Sequence, residues 1–115
     1  MKLKDLNPDE IRTLVKMSGY SIVSKQILED GLPILFMYRE DPIDEEDTGW
    51  RFLSGQEDQD YLDDADNSKF IGVNTMANMD ETIIPYLRKP VGTELEKIDG
   101  SQEFTSIESD QGKIS

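Results

Sequence analysis

GWRFLSGQED, residues Gly49 to Asp58, holds the only tryptophan of the chain, a short apolar strand pattern and two glycines. Alternation puts Trp50 and Phe52 on one face of a strand and Arg51 with Leu53 on the other. Gly49 opens that strand, expected over Trp50 to Ser54, and Gly55 ends it. Trp50 has two readings. One is the large buried anchor of a small core, with Phe52 as its partner. The other is a partly exposed interface residue ringed by charge.

Acidic sequence closes on this strand from both sides. Between Glu40 and Asp66 stand twelve acids and one base, Arg51, a local charge of -11. The 115 residues together carry 25 Asp and Glu against 12 Lys and Arg, a net charge of -13. Nearly all the surplus is therefore local. Such a surface repels nucleic-acid phosphates and anionic lipid headgroups, and attracts basic proteins. Blocks of like charge often mark interaction segments. The two segments are expected to converge on one surface that binds a protein partner. Its contact residues would be Asp44, Glu45, Glu46, Asp47, Trp50, Arg51, Glu57, Asp58, Asp60, Tyr61, Asp63 and Asp64. The competing reading is two solvated loops without a partner.

Residue types exclude much chemistry. There is no cysteine and no histidine. That removes disulfides, thiolate zinc sites, thiol nucleophiles and the commonest general base. No phosphate-cradling glycine loop, Ser-His pair or cofactor fingerprint is present. No pair of acids stands out as a glycosidase site. Neither a catalytic residue nor a cofactor is expected. An EF-hand loop fails in both registers, with Leu62 at the fifth position from Asp58 and Lys69 at the sixth from Asp64. Met1 begins a polar stretch with no apolar run behind it to form a signal peptide, and no run approaches a membrane span. The cytoplasm is the expected location.

Working outward, Leu6 to Gly19 is predicted as a helix. Asn7 suits its N-cap, Pro8 its first position, and Glu10 completes a capping box. Gly19 suits its C-terminal cap. Tyr20 to Leu28 and Leu32 to Arg39 are predicted as strands joined by an Asp30-Gly31 hairpin turn. Ile34, Phe36 and Tyr38 should share one face, with Leu35 and Met37 on the other. Glu40 to Thr48 is a loop. Gln56 to Asn67 is a short helix or helical turn, and Phe70 to Asn74 a strand in which Gly72 marks a bulge or close approach. Thr75 to Lys89 contains a helix capped by Asp80 or Thr82, with Ile83, Ile84 and Leu87 inward and Pro85 constraining its start. Asn74 and Asn78 are read as capping and turn residues. Thr93 to Ile98 and Glu103 to Ile107 form a last strand pair around Asp99-Gly100.

The fold class is α+β: one domain over residues 1-108, with a mixed, mainly antiparallel sheet of about five to six strands under two to three helices. Residues 109-115 are expected to fray.

With GWRFLSGQEDQDYLDD, NTMANMDETIIPYL and KPVGT in view, and with GYSIVSKQIL and MYRE, the chain resembles a bacterial domain family grouped with the immunity proteins of polymorphic toxin systems. The resemblance spans about Gly19 to Glu96. It implies a small cytoplasmic protein that neutralises a toxin by binding it. The acidic stretch agrees with a basic toxin as target. Two other classes stay open: an accessory domain that self-associates through a strand edge, and a weak divalent-metal protein.

Overall fold

Six strands build one sheet in the order β4-β1-β3-β2-β5-β6. In this computed structural model, residues 2-107 are described. The tail at 109-115 and the domain limit at 108 lie outside them. The strands are β1 (Tyr20–Ser24), β2 (Phe36–Arg39), β3 (Asp47–Leu53), β4 (Ser68–Gly72), β5 (Glu94–Lys97) and β6 (Phe104–Ser106). Only β1 and β3 pair in parallel; the other four ladders are antiparallel. Short helices lie between them: α1 (Lys25–Leu28), α2 (Gln59–Asp63) and α3 (Val73–Met79), with a 3-10 segment at Glu81–Tyr86. This is the α+β domain with a mixed six-stranded sheet that the patterning implies.

The core lies on one face of the sheet. Val23, Met37, Trp50, Phe52, Leu95 and Phe104 point into it from the strands. Ile27 and Leu28 of α1, Val73 and Met76 of α3, and Ile83 and Leu87 near the 3-10 segment close over them. Burying each such side chain is worth roughly 1.5–3 kcal/mol.

Several local expectations are corrected. Residues 6-19 form no helix. Asn7 does cap, accepting from the Asp9 N–H, but only a 3-10 turn, Pro8–Glu10, follows. The chain then runs irregularly to residue 18. Ile11, Thr13 and Val15 are β-branched, and a helix this short is marginal alone. Side chains from α3 satisfy its backbone instead.

The stretch from Tyr20 to Leu28 splits into β1 and α1, because Ser24 turns the chain and caps α1 through the Gln26 N–H. No hairpin forms at Asp30-Gly31. Gly31 takes a φ of 76° at the exit of α1, where the Leu32 N–H reaches back to the Gln26 carbonyl. β1 instead finds β3, a non-local partner that turn chemistry does not announce. β2 starts only at Phe36, so the expected face breaks. Ile34 is buried with Met37, while Leu35 points out and Phe36 and Tyr38 lie opposite the core.

β4 begins two residues earlier than expected. Gly72 marks no bulge, since β1 and β4 pair without a break from Tyr20↔Gly72 to Ser24↔Ser68. The helix expected within residues 75-89 is two elements. α3 ends at Met79, and Asp80 then caps the 3-10 segment through the Thr82 N–H. Pro85 sits inside that segment. No helix among the described residues is long and apolar enough to cross a membrane.

Candidate functional site

The face of the sheet opposite the core is lined by side chains outside the core cluster, many of them half-buried. Side chains directly opposite across a ladder share a face, so the register reads it off. One row runs Phe70, Ile22, Arg51, Tyr38, Glu94. A second runs Leu53, Phe36, Glu96, Thr105. Tyr20 lies beside the first row and stacks on Phe70 with ring centroids 4.6 Å apart. Phe36 and Tyr38 meet at 5.7 Å. Phe70 is 61% exposed. None of Tyr20, Ile22, Phe36, Tyr38, Leu53 or Phe70 packs on the core cluster.

Arg51 sits in the middle of this face, almost wholly buried. Asp47 grips it with two hydrogen bonds of 2.8 Å, and Glu40 accepts a third at 2.6 Å. Asp47 and Arg51 are four residues apart, about 13 Å in an unbroken strand. A bulge brings them together. β1 advances from Tyr20 to Ile22 while β3 advances from Asp47 to Arg51, so β3 carries two extra residues. Gly49 makes the bulge with a φ of 89°, and a Cβ there would run into the Glu40 carbonyl oxygen. The Asp47 carboxylate also accepts from the Gly49 and Ile43 N–H groups at 2.8 and 2.9 Å.

These bonds to Arg51 hold the Asp47 carboxyl at about 2, against 3.8 ordinarily, and the two N–H groups add to them against the opposing effect of burial. Tyr20 is pushed to about 12 by desolvation and by its hydrogen bond to Asp44. Tyr38 is raised by burial and by the charge of Glu40. The face thus holds one guanidinium against the carboxylates of Asp47, Glu40, Asp44, Glu94 and Glu96, a balance of -4. All but Asp47 are exposed.

The residues expected to form one docking face divide. Asp44, Glu45 and Glu46 are exposed in the loop that enters β3, and Asp44 accepts from the Tyr20 hydroxyl at 2.8 Å. Asp47 and Arg51 are buried in the ion cluster. Trp50 has no exposed surface. Its Nε1 donates to the Leu87 carbonyl at 2.9 Å, its ring stacks on Phe52, and the Arg39 guanidinium lies 5.8 Å from its centre. It is therefore the interior anchor, because strand alternation turns it to the helix side.

The second acidic segment leaves the other end of β3. Glu57 folds back to accept from the Ser54 and Gly55 N–H groups at 2.9 and 3.0 Å. Burial acts to raise its carboxyl, but hydrogen bonds from Ser24 and the Ser54 backbone hold it below the ordinary range. Asp58 caps α2 through the Tyr61 N–H, and Asp64 caps the next turn through Asp66. Asp60 and Asp63 are exposed, and Tyr61 is half-buried. This segment lies near Ser24 and the first near Tyr20, the length of β1 apart, about 13 Å. The two do not flank an exposed indole, so the single face centred on Trp50 is not formed. No group of three or more acids converges to hold a metal ion among the described residues.

Sequence reasoning missed Phe70, Ile22, Tyr20, Glu94 and Glu96. The alternation that leaves Phe36 and Tyr38 on one face was the available signal. The parallel β1–β3 pairing that joins them to Phe70 was not.

A family model described as Immunity protein Imm33 domain matches residues 21–108. No curated protein matches the chain, and no solved structure does.

Proposed function

The chain belongs to the immunity protein Imm33 domain family, and on that premise we propose that it neutralises a toxin by binding it, without catalysis. The partner is a basic protein. Its docking surface is the sheet face opposite the core. The observation that carries this reading is the group Tyr20, Ile22, Phe36, Tyr38, Leu53 and Phe70, gathered on one face away from the core. Aromatic side chains of this kind supply binding energy when a partner excludes water from them. Glu40, Asp44, Glu94 and Glu96 rim them, with Glu45 and Glu46 beyond, and pair with lysine and arginine of the partner. Glu57, Asp58, Asp60, Tyr61, Asp63 and Asp64 lie off this centre. Their charge speeds encounter at long range rather than forming the contact.

The test uses the toxin domain and rapid mixing. Phe70→Ala and Tyr38→Ala are expected to speed dissociation about tenfold or more. Glu94→Lys with Glu96→Lys is expected to slow association, and so is raising salt from about 0.05 to 0.5 M. Asp60→Lys with Asp63→Lys and Asp64→Lys should slow association less and leave dissociation unchanged. Dissociation indifferent to Phe70 and Tyr38 would overturn the assignment of the face. Association indifferent to salt would overturn the basic partner.

A further inference from the structure

In the stretch NTMAN, Met76 and Ala77 face the core, while Asn74 and Asn78 serve neither the core nor the sheet face opposite it. Asn74 and Asn78 stand one turn apart on the same side of α3. They hold residues 12-15 through the peptide backbone alone. Asn74 Oδ1 accepts from the Leu14 and Val15 N–H groups at 2.8 and 3.2 Å, and its Nδ2 donates to the Arg12 carbonyl at 2.9 Å. Asn78 Oδ1 accepts from the Arg12 N–H at 3.1 Å, and its Nδ2 donates to the Arg12 carbonyl at 2.8 Å. A further bond from Asn78 to the Asn74 carbonyl, 2.8 Å, steadies the pair.

Two successive N–H groups meeting one oxygen require a bend, and nothing in these five bonds reads a side chain. Recognition through the main chain tolerates sequence, and pockets for side chains supply the selection. Here the selection comes from Val15 and Met17, two residues apart, which pack against the core cluster. The strap is lightly seated. No residue from 11 to 18 is fully buried, and the bonds at Arg12 lie at the surface. A cleft of about 290 Å³ remains between residues 14-17 and Ile84, Pro85, Leu87 and Arg88. The clamp lies within the family-matched residues and the strap before them.

We propose that Asn74 and Asn78 form a binding site for a bent, non-helical peptide segment that carries apolar side chains two positions apart. The chain's own residues 12-17 occupy it, and a segment of the same chemistry from another chain can exchange with them. Because the strap is tethered, its effective concentration is high, and a free peptide competes poorly with it. The site shows itself once the strap is unseated.

The experiment uses the full chain and a fluorescent peptide of residues 10-18, followed by anisotropy. Val15→Asp with Met17→Asp removes the strap's apolar anchors and leaves the clamp intact. That variant is expected to bind the peptide about tenfold or more tighter than the parent protein. Adding Asn74→Ala and Asn78→Ala should abolish binding. A peptide altered at Arg12 and Thr13 should bind within about threefold, and one with aspartate at both apolar positions should not bind. A folded Val15→Asp/Met17→Asp protein that ignores the peptide overturns the proposal.

Amide exchange in Asn78→Ala decides the matter should the strap variant fail to fold. Exchange at Leu14 and Val15, which Asn74 and not Asn78 holds, accelerated about tenfold with β3 unchanged supports a local, separable clamp. Equal acceleration across β3 shows that Asn78 only holds the fold together, and overturns it.

Discussion

Replacing Asp47 with Asn tests the ion cluster on the sheet face opposite the core. The Asp47 side chain is fully buried and contributes four hydrogen bonds, two of them to the Arg51 guanidinium. Its carboxyl falls from 3.8 to about 2 in the folded protein. A depressed carboxyl stabilises the folded state above its unfolded value, and that contribution is lost as pH falls from about 4 through 2. The depression corresponds to roughly 2 kcal/mol, most of it gone by pH 2. Asp47→Asn does more than remove this. It leaves a buried guanidinium with the half-exposed Glu40 as its one carboxylate, and breaking such a pair costs about 3–5 kcal/mol.

Trp50 is the only indole and is fully buried, so its fluorescence reports unfolding in urea directly. The two proteins should differ by about 3–5 kcal/mol at pH 7, and the gap should shrink by about 2 kcal/mol near pH 2. Asp47→Asn combined with Arg51→Met should recover much of the loss, because an apolar replacement removes the stranded charge. A gap below about 1 kcal/mol at pH 7, or one that does not change with pH, would refute the reasoning.

Two further outcomes test the same strand. Gly49→Ala forces a side chain to a φ of 89° and into the Glu40 carbonyl, and should lower stability by about 3 kcal/mol in a thermal or urea melt. Trp50→Phe keeps most of the apolar area but leaves the Leu87 carbonyl with only the long 3.5 Å bond from Arg39, and should cost about 1–3 kcal/mol by the same measurement.

What was legible in the sequence follows from range. Period-two alternation in FMYR and WRFL reports which side chains face a core, and it holds for Met37, Trp50 and Phe52 whatever the neighbouring strand is. Caps are also local: Asn7 caps, though a 3-10 turn rather than the expected helix, and Asp80, one of the two expected candidates, caps the segment Glu81–Tyr86. Pairing is not local. Asp30-Gly31 is as good a helix exit as a hairpin turn, and only the affinity of β1 for β3 decides between them. Asn74 and Asn78 show the same ambiguity. A carboxamide that caps its own helix and one that grips an irregular segment some 60 residues away look identical in sequence. The split of the acidic run between two ends of the sheet follows from the length of β3, which no charge count contains.

The negative charge around Arg51 also bears on self-association. A second copy meeting this face would set one -4 cluster against another across a desolvated aromatic surface, where like charges repel most strongly. The same carboxylates that favour a basic partner therefore disfavour a face-to-face dimer. Leucine in place of both Arg51 and Asp47 would leave the four exposed carboxylates, and so the balance of -4, unchanged. The discrimination therefore resides in Glu40, Asp44, Glu94 and Glu96 and not in the buried pair. Sedimentation velocity gives the check. The parent chain should stay monomeric as salt rises moderately, while Asp44→Asn with Glu94→Gln and Glu96→Gln should self-associate and lose that association when Phe70→Ala is added. A triple variant that remains monomeric would show that these carboxylates have no such role.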